Sequence, residues 1–273
     1  MPSSGAGLSD PSGLPVGDLP VEGPASKNLD PPESVLAIGA HPDDIEFGCG
    51  ATLAKWASAG SRVQYLVLTD GSKGTWDPER ELSDLVSERR AECVAAADVI
   101  DGRGTGPRRE DRVFFLDRVD GELVAGPDER RAVCQIIRAV RPSVILGHDP
   151  WRRYRLHPDH RAAGFLTVDA LVAARDPHFF PEIGLAPHRP HALVLWEPDQ
   201  PNHVEDVNGF EDVKIRALLC HQSQQQSTMG IDPTESRDEE TEVFANRVRH
   251  QLRAHGSIAS VALGEAFHLM TDT

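Results

Sequence analysis

Two short polar stretches carry the residue types that bind a metal ion and move protons. Residues 41–44 are His-Pro-Asp-Asp and directly follow an apolar run, and residues 157–160 are His-Pro-Asp-His. Imidazole nitrogens and carboxylate oxygens are both good ligands for zinc. In the first stretch His41 and Asp44 are therefore candidate ligands, and Asp43 between them is a candidate proton acceptor for a water bound to the metal.

The position of these stretches in the chain decides how they are interpreted. Alone, residues 41–44 are equally consistent with an Asp-rich turn, because Pro and Asp favour turns for local reasons. However, the stretches follow predicted strands Val35–Ala40 and Ser143–Gly147. The carboxyl ends of parallel strands lie at one edge of an α/β sheet, so we expect the two stretches to meet there. Two histidines and one carboxylate with an open fourth position are typical of a catalytic zinc site.

The elements that must position these residues alternate between strand and helix. This rhythm predicts a Rossmann-like, mostly parallel α/β sheet with helices on both faces and the active site at the carboxyl ends of the strands. The predicted strands are Val35–Ala40, Arg62–Thr69, Arg112–Leu116, Ser143–Gly147 and His191–Trp196. Two predicted helices follow the polar stretches and end near Ala59 and near Ala174. Four more are predicted at Ser83–Ile100, Asp128–Val140, Phe210–His221 and Thr241–Ala254.

Three segments have no apolar periodicity. Residues 1–32 are rich in Pro, Gly and Ser, so we expect a flexible tail before a single domain at residues 33–273. Residues 102–109 are predicted to form a Gly- and Arg-rich loop, and residues 222–240 a mobile polar loop or flap.

Composition excludes several classes of protein. The formal net charge of −15 argues against binding to nucleic acid or to anionic lipid. No apolar run approaches the roughly 18 residues of a membrane span, and no secretory signal is visible, so the cytoplasm is the expected location. The four cysteines form no Cys-x-x-Cys pair and are expected to be reduced. The Gly-rich turn at residues 47–52 is not a dinucleotide fingerprint, so no nicotinamide cofactor is predicted.

The two stretches also carry a resemblance to a known family. Residues 40–48 (Ala-His-Pro-Asp-Asp-Ile-Glu-Phe-Gly), with His-Pro-Asp-His downstream, resemble the paired signature of the LmbE-like (PIG-L) zinc-dependent N-deacetylases. Similarity continues along most of residues 34–268, including residues 89–97, 221–224 and 264–268. The family includes deacetylases of N-acetylglucosaminyl intermediates in low-molecular-weight thiol biosynthesis and of the glycolipid precursor of membrane anchors.

The resemblance implies a role for each residue of the two motifs. By motif position, the zinc ligands are His41, Asp44 and His160. Asp43 is the general base, and His157 is the electrophilic or general-acid histidine. Zinc is the implied metal, although two histidines and a carboxylate also suit Fe²⁺.

Substrate contacts are predicted at four further positions. Arg89 matches an arginine that contacts the substrate sugar in relatives. Tyr154 lies close to the place of a family tyrosine, although two residues separate it from His157. Asp117 and His203 are candidates because each follows a predicted strand. Trp76, Trp151 and Trp196 lie near strand ends, where a tryptophan can stack on a sugar or pack in the core.

These inferences predict a hydrolase that removes the N-acetyl group from an N-acetylglucosamine-type amino sugar or glycoconjugate. Two alternatives remain: an amidase acting on a larger thiol conjugate or natural-product amide, and a non-catalytic metal- or sugar-binding relative. The expected partner is the small-molecule substrate, with neither nucleic acid nor a membrane span. A homo-oligomer is compatible with the sequence.

Overall fold

An eight-stranded sheet forms the centre of the molecule. The computed structural model describes residues 25–102, 112–232, 237–271 and 273. In the sheet the strands lie in the order β1-β7-β8-β6-β5-β2-β3-β4. Their bounds are β1 Ser26–Lys27, β2 Ser34–Gly39, β3 Arg62–Thr69, β4 Val113–Arg118, β5 Val144–His148, β6 Ala192–Trp196, β7 His203–Asp206 and β8 Gly264–Met270.

Helices cover both faces of this sheet. Their bounds are α1 Asp44–Ser58, α2 Leu82–Ile100, α3 Pro127–Val140, α4 Pro158–Arg175, α5 Glu211–Leu218 and α6 Arg237–Ser257. One apolar cluster joins the sheet to α1, α2 and α5, and a second joins the opposite face to α3 and α4. Strands β2, β5 and β6 are buried along their whole length, as expected for strands covered on both faces. None of the described helices has the length and apolar character needed to cross a membrane.

The sheet is mostly parallel, which confirms the predicted fold class. Among the described strands, β8 alone runs antiparallel to its neighbours, β6 and β7. From β2 the chain moves outward through β3 to β4, and it then returns to place β5 on the other side of β2. The strand order therefore reverses between β2 and β5, and such a switch point opens a crevice at the carboxyl ends of the strands.

Several segments differ from the sequence predictions. Residues 222–240 are not a simple loop, because 3-10 and π-helical turns cover residues 222–229 and α6 begins at Arg237. The predicted tail ends earlier than expected, since Ser26–Lys27 pairs with β7 as an edge strand. Residues 1–24 of that tail and residues 103–109 of the predicted loop lie outside the described residues.

A buried ion pair bridges an interruption in α1. Cys49 has a non-helical φ of −148°, so the helix cannot satisfy every backbone group around it. The Nζ atom of Lys214 donates to the carbonyl oxygen of Phe47 at 2.7 Å and to Glu265 Oε1 at 2.6 Å. The Glu265 carboxylate in turn accepts the N–H groups of residues 51–52 at 3.1 and 2.7 Å. Helix α5 and strand β8 thereby stabilise α1 on both sides of the interruption at Cys49.

Replacing Glu265 with alanine tests this bridge. The change leaves the Lys214 ammonium buried without a counter-charge, and we expect the free energy of unfolding to fall by about 3–5 kcal/mol. Chemical denaturation measures the difference. The matched control is Glu182→Ala, which removes an exposed partner of Arg131 and should leave stability near that of the wild type. Equal losses in the two variants would contradict the proposed bridge.

Candidate metal centre and active site

A cavity opens at the switch point between β2 and β5. Its volume is about 480 Å³, within the usual range for small-molecule sites. The turn after β2 contributes one part of its wall and the start of α4 contributes another. Five lining residues from these segments are His41, Asp43, Asp44, His157 and His160.

Three donor groups face one another in this cavity. His41 Nδ1 lies 3.2 Å from His160 Nε2, and these nitrogens lie 3.3 and 3.2 Å from different oxygens of Asp44. Ligands about 2.0–2.1 Å from a tetrahedral ion are separated by about 3.3 Å. The sequence-predicted ligands therefore come together with the spacing of a divalent metal site.

Two buried carboxylates set the tautomer of His41. Its Nε2 lies 3.1 Å from Asp120 and 3.2 Å from Asp159, so this nitrogen carries the proton and Nδ1 keeps its lone pair. Asp159 is held in turn by the N–H groups of Gly121 and Leu123. Burial lowers the pKa of His41, but hydrogen bonds to Asp120, Asp159 and Asp44 raise it well above the ordinary value. The surrounding carboxylates thus hold a proton firmly on Nε2 and compensate positive charge that is brought to Nδ1.

His148 at the end of β5 orients the carboxylate of Asp44. Its Nδ1 accepts hydrogen bonds from Trp196 Nε1 and Arg155 Nη2, each at 3.0 Å. We place the ring proton on Nε2, which then donates to Asp44 Oδ2 at 3.2 Å; the Ala40 N–H approaches the same nitrogen at the longer distance of 3.4 Å. Burial lowers the pKa of His148 to about 4, so the ring is neutral near pH 7. Although its Nε2 lies near Asp44 and His160, this tautomer makes His148 a positioning residue rather than a ligand.

Asp43 is held beside the donor cluster in a strained backbone conformation. Its φ is +106°, which is unfavourable for a residue other than glycine. Gln224 Nε2 donates to Asp43 Oδ2 at 2.6 Å. Burial, followed by the charge of Asp44, raises the pKa of Asp43 to about 7. A carboxyl group with this pKa can accept and return a proton near neutral pH.

His157 lies at the start of α4 and faces the same cavity. Its Nδ1 accepts the N–H of Asp159 at 3.3 Å, so in the neutral ring Nε2 carries the proton. Its ring stacks on His160 with a centroid distance of 4.8 Å and meets His41 edge-on at 4.5 Å. Burial, followed by the neighbouring histidines His41 and His160, lowers the pKa of His157. His157, rather than Asp159, therefore caps this helix, while the Asp159 carboxylate orients His41.

The structure corrects three of the predicted substrate contacts. Asp117 pairs with Arg90 at the surface, and Tyr154 is 93% exposed; both lie outside the cavity lining. His203 is buried in β7, where it contacts Glu205 at 2.9 Å, far across the sheet from the switch point. A position after a strand is therefore insufficient to place a side chain in the cavity.

Arg89 lines the cavity wall, and both Nη atoms of its guanidinium are engaged, while its Nε is buried without a hydrogen-bond partner among the described residues. It donates to the carbonyl oxygens of Gly71 and Gly74, in the latter case at 2.7 Å. The side chain is 2% exposed, and burial lowers its pKa. Arg89 therefore supports a loop of the cavity wall, which differs from the predicted direct contact with a sugar.

The sequence interpretation missed three residues of this site. Asp120 lies three residues beyond the predicted Asp117, on the turn that follows β4. His148 directly follows the predicted strand Ser143–Gly147, and this position was a usable signal. Gln224 lies in the polar segment after α5, where no periodicity pointed to burial, yet it is 4% exposed.

The fold and this cluster define an α/β protein with a candidate mononuclear metal centre at the switch point. A family model described as PIG-L, GlcNAc-PI de-N-acetylase, matches residues 36–171. A diacetylchitobiose deacetylase of Thermococcus kodakarensis is 36% identical over 195 residues, covering 70% of each chain.

Two further comparisons agree. A 1D-myo-inositol 2-acetamido-2-deoxy-alpha-D-glucopyranoside deacetylase of Kineococcus radiotolerans is 35% identical over 57% of this chain and 49% of its own length. The solved N,N'-diacetylchitobiose deacetylase from Pyrococcus horikoshii has a TM-score of 0.76 at 29% identity, covering 88% of this chain and 84% of that chain. The chain belongs to the PIG-L family.

Replacing His148 tests its role in orienting Asp44. His148→Leu removes the hydrogen bond to Asp44 Oδ2, and we expect Zn²⁺ affinity to fall about 10- to 100-fold. Competition with a chromophoric chelator measures this affinity. His148→Gln can restore a donor and should lose less, while the exposed His178→Leu should lose nothing. Unchanged affinity in a folded His148→Leu variant would remove His148 from the site.

Proposed function

We propose that this protein is a metal-dependent hydrolase that removes the N-acetyl group from an N-acetylglucosamine-type amino sugar or glycoconjugate. The observation that carries the proposal is the carboxylate of Asp43 beside three mutually facing donors, His41, Asp44 and His160. A binding site needs the donors alone, whereas hydrolysis also needs a base beside them. The activities named for the relatives support the acetyl group and the amino sugar as the substrate features.

The proposed metal is Zn²⁺, with Fe²⁺ as the alternative that the same donors accept. His41 Nδ1, the Asp44 carboxylate and His160 Nε2 would hold it. When bound, such an ion polarises the acetyl carbonyl and makes a water molecule more acidic. The spacing of the donors and the tautomer that Asp120 and Asp159 impose on His41 support this assignment.

Asp43 is the proposed base and also the proton carrier. Gln224 holds its Oδ2, and we assign the proton transfers to Oδ1. Asp43 takes a proton from the attacking water as the C–O bond forms. It then returns that proton to the nitrogen as the C–N bond breaks, which leaves acetate and the free amine. Its pKa of about 7 suits both directions.

His157 is proposed to stabilise the developing oxyanion through Nε2–H. The backbone of Asp159 already donates to Nδ1, which orients the ring for this role. Because burial lowers the pKa of His157, a neutral donor fits better than the general acid suggested by the sequence. The proton for the amine is therefore assigned to Asp43.

Two coarser features complete the proposal. We propose that residues 33–273 form one domain, to which Ser26–Lys27 adds the edge strand β1, since all eight described strands belong to one sheet. We also propose a cytoplasmic location, supported by four free cysteines, three of them buried, which fits a reducing compartment.

An acetate-release screen tests the activity. The purified protein, loaded with Zn²⁺, is incubated with a panel of N-acetylglucosaminides, and acetate and free amine are quantified together. We expect equal amounts of both products, loss of turnover with a chelator, and recovery when Zn²⁺ is added back. Release of an acyl group only from bulky amides would indicate the alternative amidase. Stoichiometric metal without turnover of any amide would indicate a non-catalytic relative.

Variants of the adjacent aspartates test the division of roles. Asp44→Ala removes a ligand, so Zn²⁺ affinity should fall sharply. Asp43→Ala removes the base, so the metal should stay bound while kcat falls about 10²- to 10⁴-fold. Metal analysis and steady-state kinetics measure the two effects, and Asp117→Ala is the matched surface control. If both variants keep the metal equally well, the assignment of ligand and base is wrong.

A further inference from the structure

One large aromatic side chain on the cavity wall has no place in the chemistry described above. Trp76 lines the cavity and remains 70% exposed. The other tryptophans near this edge differ from it. Trp196 is 1% exposed and meets the ring of His148, whereas Trp151 lies outside the cavity lining and packs edge-on against Phe165. Trp76 alone among these three presents an open indole surface to the cavity.

The loop that carries Trp76 is fixed from two sides. Arg89 holds the carbonyl oxygens of Gly71 and Gly74, and Ser227 Oγ also donates to Gly74 O at 3.2 Å. The Lys73 N–H donates to Asp120 Oδ2 at 3.0 Å.

Close packing limits what this loop can be made of. A Cβ atom added at Gly74 would lie 2.6 Å from Arg89 Nη1, so a larger residue would displace the guanidinium. The backbone that carries Trp76 is therefore well supported, so ligand binding does not have to order this loop.

The charges of the wall indicate what kind of group this surface can accept. Two cationic side chains line the cavity in the described part of the chain: Arg89 donates to carbonyl oxygens, and Lys73 Nζ pairs with Glu122 at 2.7 Å. Carboxylates also line the cavity, at Asp43, Asp44, Asp120 and Glu197, and Glu197 pairs with Arg152 and Arg155. Both Nη atoms of Arg89 are engaged by backbone carbonyl oxygens and Lys73 is engaged by Glu122, so an anionic group would find no cation among the described lining residues free to pair with it. A neutral group with hydroxyls and an apolar face needs no such partner.

We propose that Trp76 is the stacking platform for a neutral sugar linked to the N-acetylglucosamine unit that is deacetylated. The axial C–H groups of a pyranose form an apolar face that packs on an indole, while its hydroxyls remain hydrated. This inference rests on the proposed function and adds a substrate class to it. The preferred substrate is a neutral oligosaccharide, and substrates with a phosphorylated group at that position are disfavoured.

Kinetics of Trp76→Ala on substrates of increasing length test the proposal. Acetate release is measured with N-acetylglucosamine, with N,N'-diacetylchitobiose and with N-acetylglucosamine 1-phosphate. For Trp76→Ala we expect KM for the disaccharide to rise about 5- to 10-fold with kcat unchanged. KM for the monosaccharide should stay within about 2-fold, because that substrate does not reach the platform. In the wild type, kcat/KM should be highest for the disaccharide and lowest for the phosphate.

Two control variants separate stacking from loss of structure. Trp76→Phe keeps an aromatic face and should recover most of the disaccharide affinity. Trp151→Ala removes an exposed tryptophan outside the cavity lining and should change neither substrate. Equal loss on monosaccharide and disaccharide, or no loss on either, would overturn the platform. A phosphate preference in the wild type would overturn the neutral substrate class. Absence of acetate from the wild-type protein on every substrate would instead refute the proposed function itself.

Discussion

The buried carboxylate of Asp44 is the group on which the rest of the site depends. Burial raises its pKa, but His160 and His148 lower it well below the ordinary value, so it remains ionised. It also accepts the backbone N–H of His41 at 2.7 Å. This last contact closes residues 41–44 into a tight turn, in which the left-handed conformation falls on Asp43. The same constraint that fixes the proposed ligand therefore presents the proposed base beside it.

The strain and buried charge of this turn require support from distant elements. Helix α1 begins at Asp44 and is interrupted at Cys49, where Lys214 and Glu265 satisfy the backbone. Glu265 lies on β8, the antiparallel strand inserted between β6 and β7. Strand β8 thus stabilises α1 just after its interruption, which links the antiparallel strand to the helix that begins at Asp44.

The structure brings the predicted donors together, whereas most of their surroundings were not predicted, for physical reasons. His41, Asp44 and His160 follow strands whose apolar runs are unambiguous, and parallel strands must deliver them to one edge. Asp117 lies at the surface, whereas Asp120, three residues further along the same turn, lines the cavity. The sequence pattern does not distinguish these two positions. The structure of residues 222–229 was not predicted because hydrogen bonds, and not apolar packing with a regular period, hold this segment. Gln224 donates to Asp43, and Ser223 donates to Glu92 at 2.6 and 2.7 Å. Long-range polar contacts of this kind leave no local pattern.

In this cavity the residues proposed for the reaction and the residue proposed to select the substrate lie on different segments of the chain. The donors and the proposed base depend on the turn after β2 and on α4, both anchored to the centre of the sheet. The proposed platform depends on the loop after β3. Arg89 holds this loop by hydrogen bonds to backbone carbonyl oxygens, which do not involve the side chains of the loop. Side chains on that loop, Trp76 among them, can change without disturbing any contact of Asp44. The proposed reaction is thus tied to the sheet, whereas the proposed choice of attached sugar is tied to a loop that Arg89, Ser227 and Asp120 hold by hydrogen bonds to its backbone.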